Sequence, residues 1–156
     1  MSAYCANDIL ALASGIYEDI NSPTSLSVPF ISGWITSSAS LGNLNNRLTT
    51  SFFYSGGCIS GGFGDTEAAI YGMMYQKEYY RKQAQQVLAG GGLLWTSINE
   101  GDSRITRANP ADISKSYMAL SKDAEEELHI AVANWKNGHV LTVSVDAAPL
   151  AAWPNP

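Results

Sequence analysis

Glu100, Asp102 and His129 are the residues of this chain best suited to acid–base or metal chemistry. Two carboxylates can divide general-acid and general-base roles, and a histidine can move a proton or ligate a metal. Together they would suit a small metal-dependent hydrolase. Their surroundings favour a plainer reading. Glu100-Gly101-Asp102-Ser103 has the composition of a turn and Asp112 stands at a helix start, places where acids cap backbone N–H groups. No candidate nucleophile accompanies them, and Arg104 and Arg107 fit as ion-pair partners for these acids or for a neighbour's carboxylates. His129 adjoins Glu125-Glu126-Glu127, with His139 ten residues on, so a two-histidine site requires the chain to fold back. A solvated helix face is the expectation.

Other chemistry-bearing patterns are thin. Gly61-Gly62-Phe63-Gly64-Asp65 resembles one copy of a calcium-binding glycine repeat, but such sites close only between stacked copies, and a helix-entry loop capped by Asp65 explains the same residues. Phosphate-loop, dinucleotide and nucleophile-elbow signatures are absent. Cys5 and Cys58 are the only cysteines, too few ligands for zinc; a bond between them is possible, and buried free thiols are expected. Tyr71, Tyr75 and Tyr79 repeat every four residues. Without a basic groove they lack the electrostatic half of a base-stacking platform, so core or subunit-interface packing is expected. No metal or cofactor follows from these residues.

At 156 residues the chain has the length of one domain able to bury its own core. It is 46% hydrophobic but only 15% charged, which suggests that part of its surface is covered in an oligomer. A net charge of −5, with dispersed Lys and Arg, speaks against tight nucleic-acid binding yet suits a surface past which nucleic acid slides. The N-terminus lacks the pattern of a signal peptide and no run is long and apolar enough to span a membrane, so folding in a cytoplasm is expected.

The elements that would hold these residues are mainly helices. Asn7-Asp8 offers a cap for a short helix interrupted at Gly15, and Ser22-Pro23 marks a turn. Ser25 or Ser27 caps a second helix with Pro29 in its first turn; a third carries Leu41, Leu44, Leu48 and Phe52 beyond a joint at Ser37 to Ser40. Five glycines within 55–64 read as a mobile loop. The clearest helix opens at Asp65 and ends at Gly90-Gly91-Gly92, and Leu93-Leu94-Trp95 begins a connection that turns at Glu100 to Ser103. Asn109-Pro110 starts a last helix with Ile113, Tyr117, Leu120, Ala124, Leu128, Ala131 and Trp135 on one face, stopped by Gly138. The alternation over Val140 to Val145 reads as a strand that pairs with a neighbouring subunit. The predicted class is all-α, a bundle of four to five helices over 1–137, with a short C-terminal β-strand and extended tail over 138–156.

Several ordered blocks carry a resemblance: Leu41-Gly42-Asn43-Leu44-Asn45-Asn46-Arg47-Leu48-Thr49-Thr50-Ser51-Phe52, Glu67-Ala68-Ala69-Ile70 with Tyr79-Tyr80, Trp95 through Ile105, and Ser114-Lys115-Ser116-Tyr117. Over roughly residues 8–136 the chain resembles small virion proteins of tailed bacteriophages, of the kind that form head-to-tail connectors or adaptors. The resemblance implies a non-enzymatic helical subunit in the virion neck, in a homo-oligomeric ring of about twelve copies beneath the portal. Its implied partners are the portal protein, other neck and tail proteins and copies of itself, with genomic DNA passing through the channel. No catalytic residue transfers. Candidate contacts toward a neighbouring subunit or the portal are Tyr71, Tyr75, Tyr79, Trp95, Asp102, Arg104, Val143, Val145 and Trp153. A small helical accessory protein that binds one host partner is the alternative from another class.

Overall fold

The chain enters as a two-residue strand, β1 (Tyr4–Cys5), and passes directly into helix α1 (Ala6–Asp19). The structure, a computed structural model, describes residues 4–90, 97–100, 103–106 and 110–145, and the side-chain environments of 4–89 and 110–139. Asp8 acts from inside the first turn of α1, where its carboxylate accepts the Cys5 N–H at 3.0 Å, rather than as the cap itself. The helix runs unbroken through Gly15 and buries Ile9, Ala13 and Ile16. Left-handed Asn21 and Ser22 (φ 63° and 47°) then turn the chain.

Helix α2 (Val28–Ile35) has Pro29 in its first turn, where a missing N–H costs nothing, and Ser27 before it. At the expected joint the Ser37 hydroxyl accepts the Ser40 N–H at 3.2 Å and starts α3 (Ser38–Leu48). Thr49 in the left-handed region ends α3. Asn45 then takes over. Its carboxamide accepts the Phe52 N–H at 2.7 Å and donates to the Phe52 carbonyl at 2.8 Å, pairing with the chain as a neighbouring strand would.

The glycine-rich stretch is not simply a loop. It holds a hairpin of β2 (Phe53–Ser55) and β3 (Cys58–Ser60), and β1 lies on the other side of β3 in a three-stranded antiparallel sheet. Gly56 and Gly57 have φ of 59° and 84°, as a two-residue hairpin turn with the twist of its strands requires. Glycine density therefore marks a turn here rather than the absence of order. The register also sets Cys5 opposite Cys58, with Cα atoms 4.0 Å apart, and the two form a disulfide. This corrects the expectation of free thiols: a separation of 53 residues hides a pairing that only the sheet register creates.

Helix α4 (Asp65–Gly90) opens at Asp65 as expected. Strands β4 (Ser97–Glu100) and β5 (Ser103–Thr106) flank the expected turn, Glu100 pairing with Ser103, and form a sheet of their own. Helix α5 (Pro110–Val145) begins at the predicted proline but does not stop at Gly138. The strand expected over Val140 to Val145 is helical, so the boundary drawn at 137/138 falls inside α5. Extending a formed helix adds one hydrogen bond per residue fixed, and this outweighs the weak strand preference of an alternating β-branched run.

The chain is thus mainly helical, with a small antiparallel sheet added to the predicted helices. Ile16, Ile31, Ile35, Leu44, Leu48, Ile59, Ile70 and Leu128 form the centre of the core. Among the described residues no helix is long and apolar enough to cross a membrane.

Candidate assembly surface

The two long helices pack antiparallel along a seam whose inward residues differ from the predicted stripe. Ser114 and Ser121 are buried, while Ile113 and Leu120 beside them are 37% and 44% exposed. The Ser114 hydroxyl donates to the Ala84 carbonyl at 3.1 Å and the Ser121 hydroxyl to the Lys77 carbonyl at 3.2 Å. Small residues with their own hydrogen bonds let α5 approach α4 closely at no cost in unsatisfied groups. The helix is rotated accordingly. Tyr117, Ala124, Leu128, Ala131 and Trp135 remain on or beside the inward face, and Ile113 and Leu120, seven residues apart on one side of α5, turn outward. Leu88, in the last turns of α4, is also exposed.

Glu67 joins the two helices at the far end of the seam. It is buried, and one carboxylate oxygen accepts the Gly64 N–H at 3.0 Å, closing the first turn of α4. The other accepts the Trp135 indole N–H at 2.5 Å, and the His139 ring stacks on Trp135 at 3.8 Å. A buried carboxylate is tolerable because both oxygens are hydrogen-bonded. Farther along, Lys77 pairs with Glu125, and the Lys77 hydrogen bond holds the Glu125 carboxyl below its ordinary range.

The tyrosine face belongs to the chain's own core. Tyr71 and Tyr75 are buried, with Trp34 rings 4.8 Å and 5.0 Å away, and the Tyr71 hydroxyl donates to the Ile35 carbonyl at 2.9 Å. Burial pushes the Tyr75 hydroxyl up to about 12 and the Tyr71 hydroxyl higher still. Neither ring is open to a neighbouring subunit, which corrects their place among the contact candidates. Tyr79 is half-buried beside Tyr80.

The remaining candidates separate. Val143 and Val145 lie on α5, and Arg104 and Glu100 on β5 and β4. Trp95, Asp102 and Trp153 lie outside the described residues. His129 is exposed on α5, 3.9 Å from Glu125, and Asp112 pairs with Lys115 at 3.7 Å. Asp112 and His129 are on one continuous helix, about 25 Å apart at 1.5 Å per residue, so they share no site. Among the described residues no three His, Cys, Asp or Glu side chains gather where a metal ion could sit.

Asn45 and Glu67 take roles that the sequence does not assign them. Asn45 carries no local signal for its bonds to Phe52. Glu67 does carry one, since it follows Gly64 by three residues at a helix entry, but its bond to Trp135 spans 68 positions and is invisible to periodicity. Comparison with protein-family models, curated proteins and solved structures finds no match.

Proposed function

We propose that this chain is a structural subunit of a head-to-tail connector or adaptor ring in a tailed-bacteriophage virion, joining the portal to the tail around the DNA channel. The observation that carries the reading is the set of large apolar side chains left exposed on the long helical pair. Leu88 of α4 is 59% exposed, and along α5 Ile113, Met118, Leu120 and Ile130 are 37%, 41%, 44% and 63% exposed. Single exposed apolar residues are ordinary, but several on one helical pair mark a surface that another chain covers. The ordered blocks from Leu41 to Tyr117 supply the phage context, and the acidic balance suits a conduit that DNA must not grip.

The role is geometric. A ring closes when each subunit offers two different surfaces to its neighbours, and long helices set the distance between those surfaces: α4 and α5 span about 39 Å and 54 Å. The portal and the neighbouring neck or tail proteins would then meet the two rims of the ring.

Light scattering coupled to size exclusion, on the chain alone and mixed with the candidate portal protein, tests the reading. A mass of many subunits, or a shift to one when the portal is present, is expected. A monomer indifferent to the portal would sink the connector reading and favour a helical accessory factor with a single host partner.

A further inference from the structure

The basic residues that are dispersed along the sequence are not all dispersed in the fold. Where α3, α4 and α5 meet there is a pocket of about 430 Å³, within the size range of small-molecule sites. Asn43, Asn46 and Arg47 line it from α3, and Lys77, Glu78 and Arg81 from α4; the buried Met74 and Leu128 are its apolar part. Three of the chain's nine lysines and arginines thus converge on one pocket of an acidic protein. Helical spacing brings them there. Asn43 and Arg47 stand one turn apart on α3, as do Lys77 and Arg81 on α4, so each pair shares a helix face.

The three positive charges are unequally used. Lys77 is committed to Glu125 through the ion pair that joins α4 to α5. Glu125 lies within the field of Arg47 too, but forms no ion pair with it. Arg47 and Arg81 have no ion pair or hydrogen bond among the described residues, and the carboxamides of Asn43 and Asn46 are equally unbonded there. Glu78, the carboxylate on the wall, pairs with neither arginine and is shared with the adjoining cleft of Trp34, Tyr75 and Tyr79. Two guanidinium groups, each a planar fork of N–H donors, therefore stand on the pocket wall without an ion-pair partner. Such forks match the oxygens of a phosphate, and two positive charges match the charge of about −1.5 to −2 that a phosphate monoester carries at pH 7. A single carboxylate would neutralise only one of them.

We propose that this pocket binds a compact phosphate group, free or as the monoester of a small molecule, held by Arg47 and Arg81 with Asn43 and Asn46 as neutral donors. Met74 and Leu128 offer apolar surface to the organic part of an ester. A long polyanion fits poorly, because the chain carries a net charge of −5 and Glu125, Glu126 and Glu127 follow one another on α5. The site lies within one chain, so it goes beyond the connector reading and does not depend on it.

Isothermal titration calorimetry of the full chain at constant ionic strength, with inorganic phosphate and phenyl phosphate as probes against a chloride background, tests the site. Saturable binding with one phosphate per chain is expected. Tighter binding of phenyl phosphate supports a monoester site, and equal binding supports a site for phosphate itself. Arg47→Gln and Arg81→Gln should each weaken binding at least about tenfold, the loss of one charge-assisted fork. Neither side chain donates a bond to the fold, so circular dichroism and melting temperature should not change; Arg81, the more exposed, carries the test alone if the half-buried Arg47 proves to matter for packing. Lys115→Gln removes the same charge from an exposed position on α5 and should leave binding within about twofold. Absence of saturable binding, unchanged affinity in the arginine variants, an equal loss in Lys115→Gln, or a thymidine oligonucleotide that binds more tightly than phenyl phosphate would each overturn the proposal.

Discussion

Glu67 gives one carboxylate two tasks, closing the first turn of α4 and holding Trp135 of α5. Removing it leaves two N–H donors without their acceptor. Glu67→Ala should therefore cost about 2–3 kcal/mol in denaturant unfolding, the range for lost hydrogen bonds to a charged group. Trp135→Phe should cost less and couple to it, so a double-mutant cycle should return about 1 kcal/mol or more; additive losses would mean that the bond contributes nothing. Tyr75 makes a prediction in pH. Its hydroxyl is held near 12 in the folded chain against an ordinary 10, so folding favours the protonated form. Stability from this group is fully present below pH 10 and is lost as pH rises from 10 toward 12. Tyr71 shifts in the same direction. Melting temperature measured between pH 9 and 12 should fall steeply in the wild type and less so in Tyr75→Phe; identical slopes would count against this account.

The small sheet depends on one covalent link. β1 has two residues, too few to hold β3 by backbone pairing alone, and the disulfide between Cys5 and Cys58 closes a span of 53 residues. Constraining a loop of that size in the unfolded chain is worth about 4 kcal/mol by chain entropy, and about 2–4 in practice. Cys58→Ser should lower unfolding stability by that amount, and a reductant should bring the wild type to the same value. If the reductant leaves wild-type stability unchanged, the sheet stands without the bond. The link also bears on where the chain matures, since such bonds persist in oxidising surroundings. At the other end of the fold, the α4–α5 seam shows an element choosing its own rotation: serines that satisfy themselves against α4 carbonyls go inside, and isoleucine and leucine go out.

For the whole molecule, the consequence of that rotation is apolar surface on α5 that stays exposed among the described residues. Leu120→Lys with Ile130→Lys removes apolar surface that is already in contact with water. Monomer stability should change by no more than about 0.5 kcal/mol, as for ordinary surface substitutions. Assembly should be lost in the same samples, read as molar mass. A drop in melting temperature with assembly intact would make these residues part of the fold rather than of an interface.

Most of the helices were legible from local signals. Pro29 and Pro110 in first turns, Asp65 at a helix entry and apolar residues at three-to-four spacing all act within a few positions, so their consequences can be read along the chain. The turn between Glu100 and Ser103 was legible for the same reason. The tertiary structure alone decided the pairing of Cys5 with Cys58, the burial of Tyr71 and Tyr75 against Trp34, and the rotation of α5. Each depends on which surface lies alongside, often more than thirty residues away in sequence, and competing local preferences of a few tenths of a kcal/mol per residue are too small to determine it.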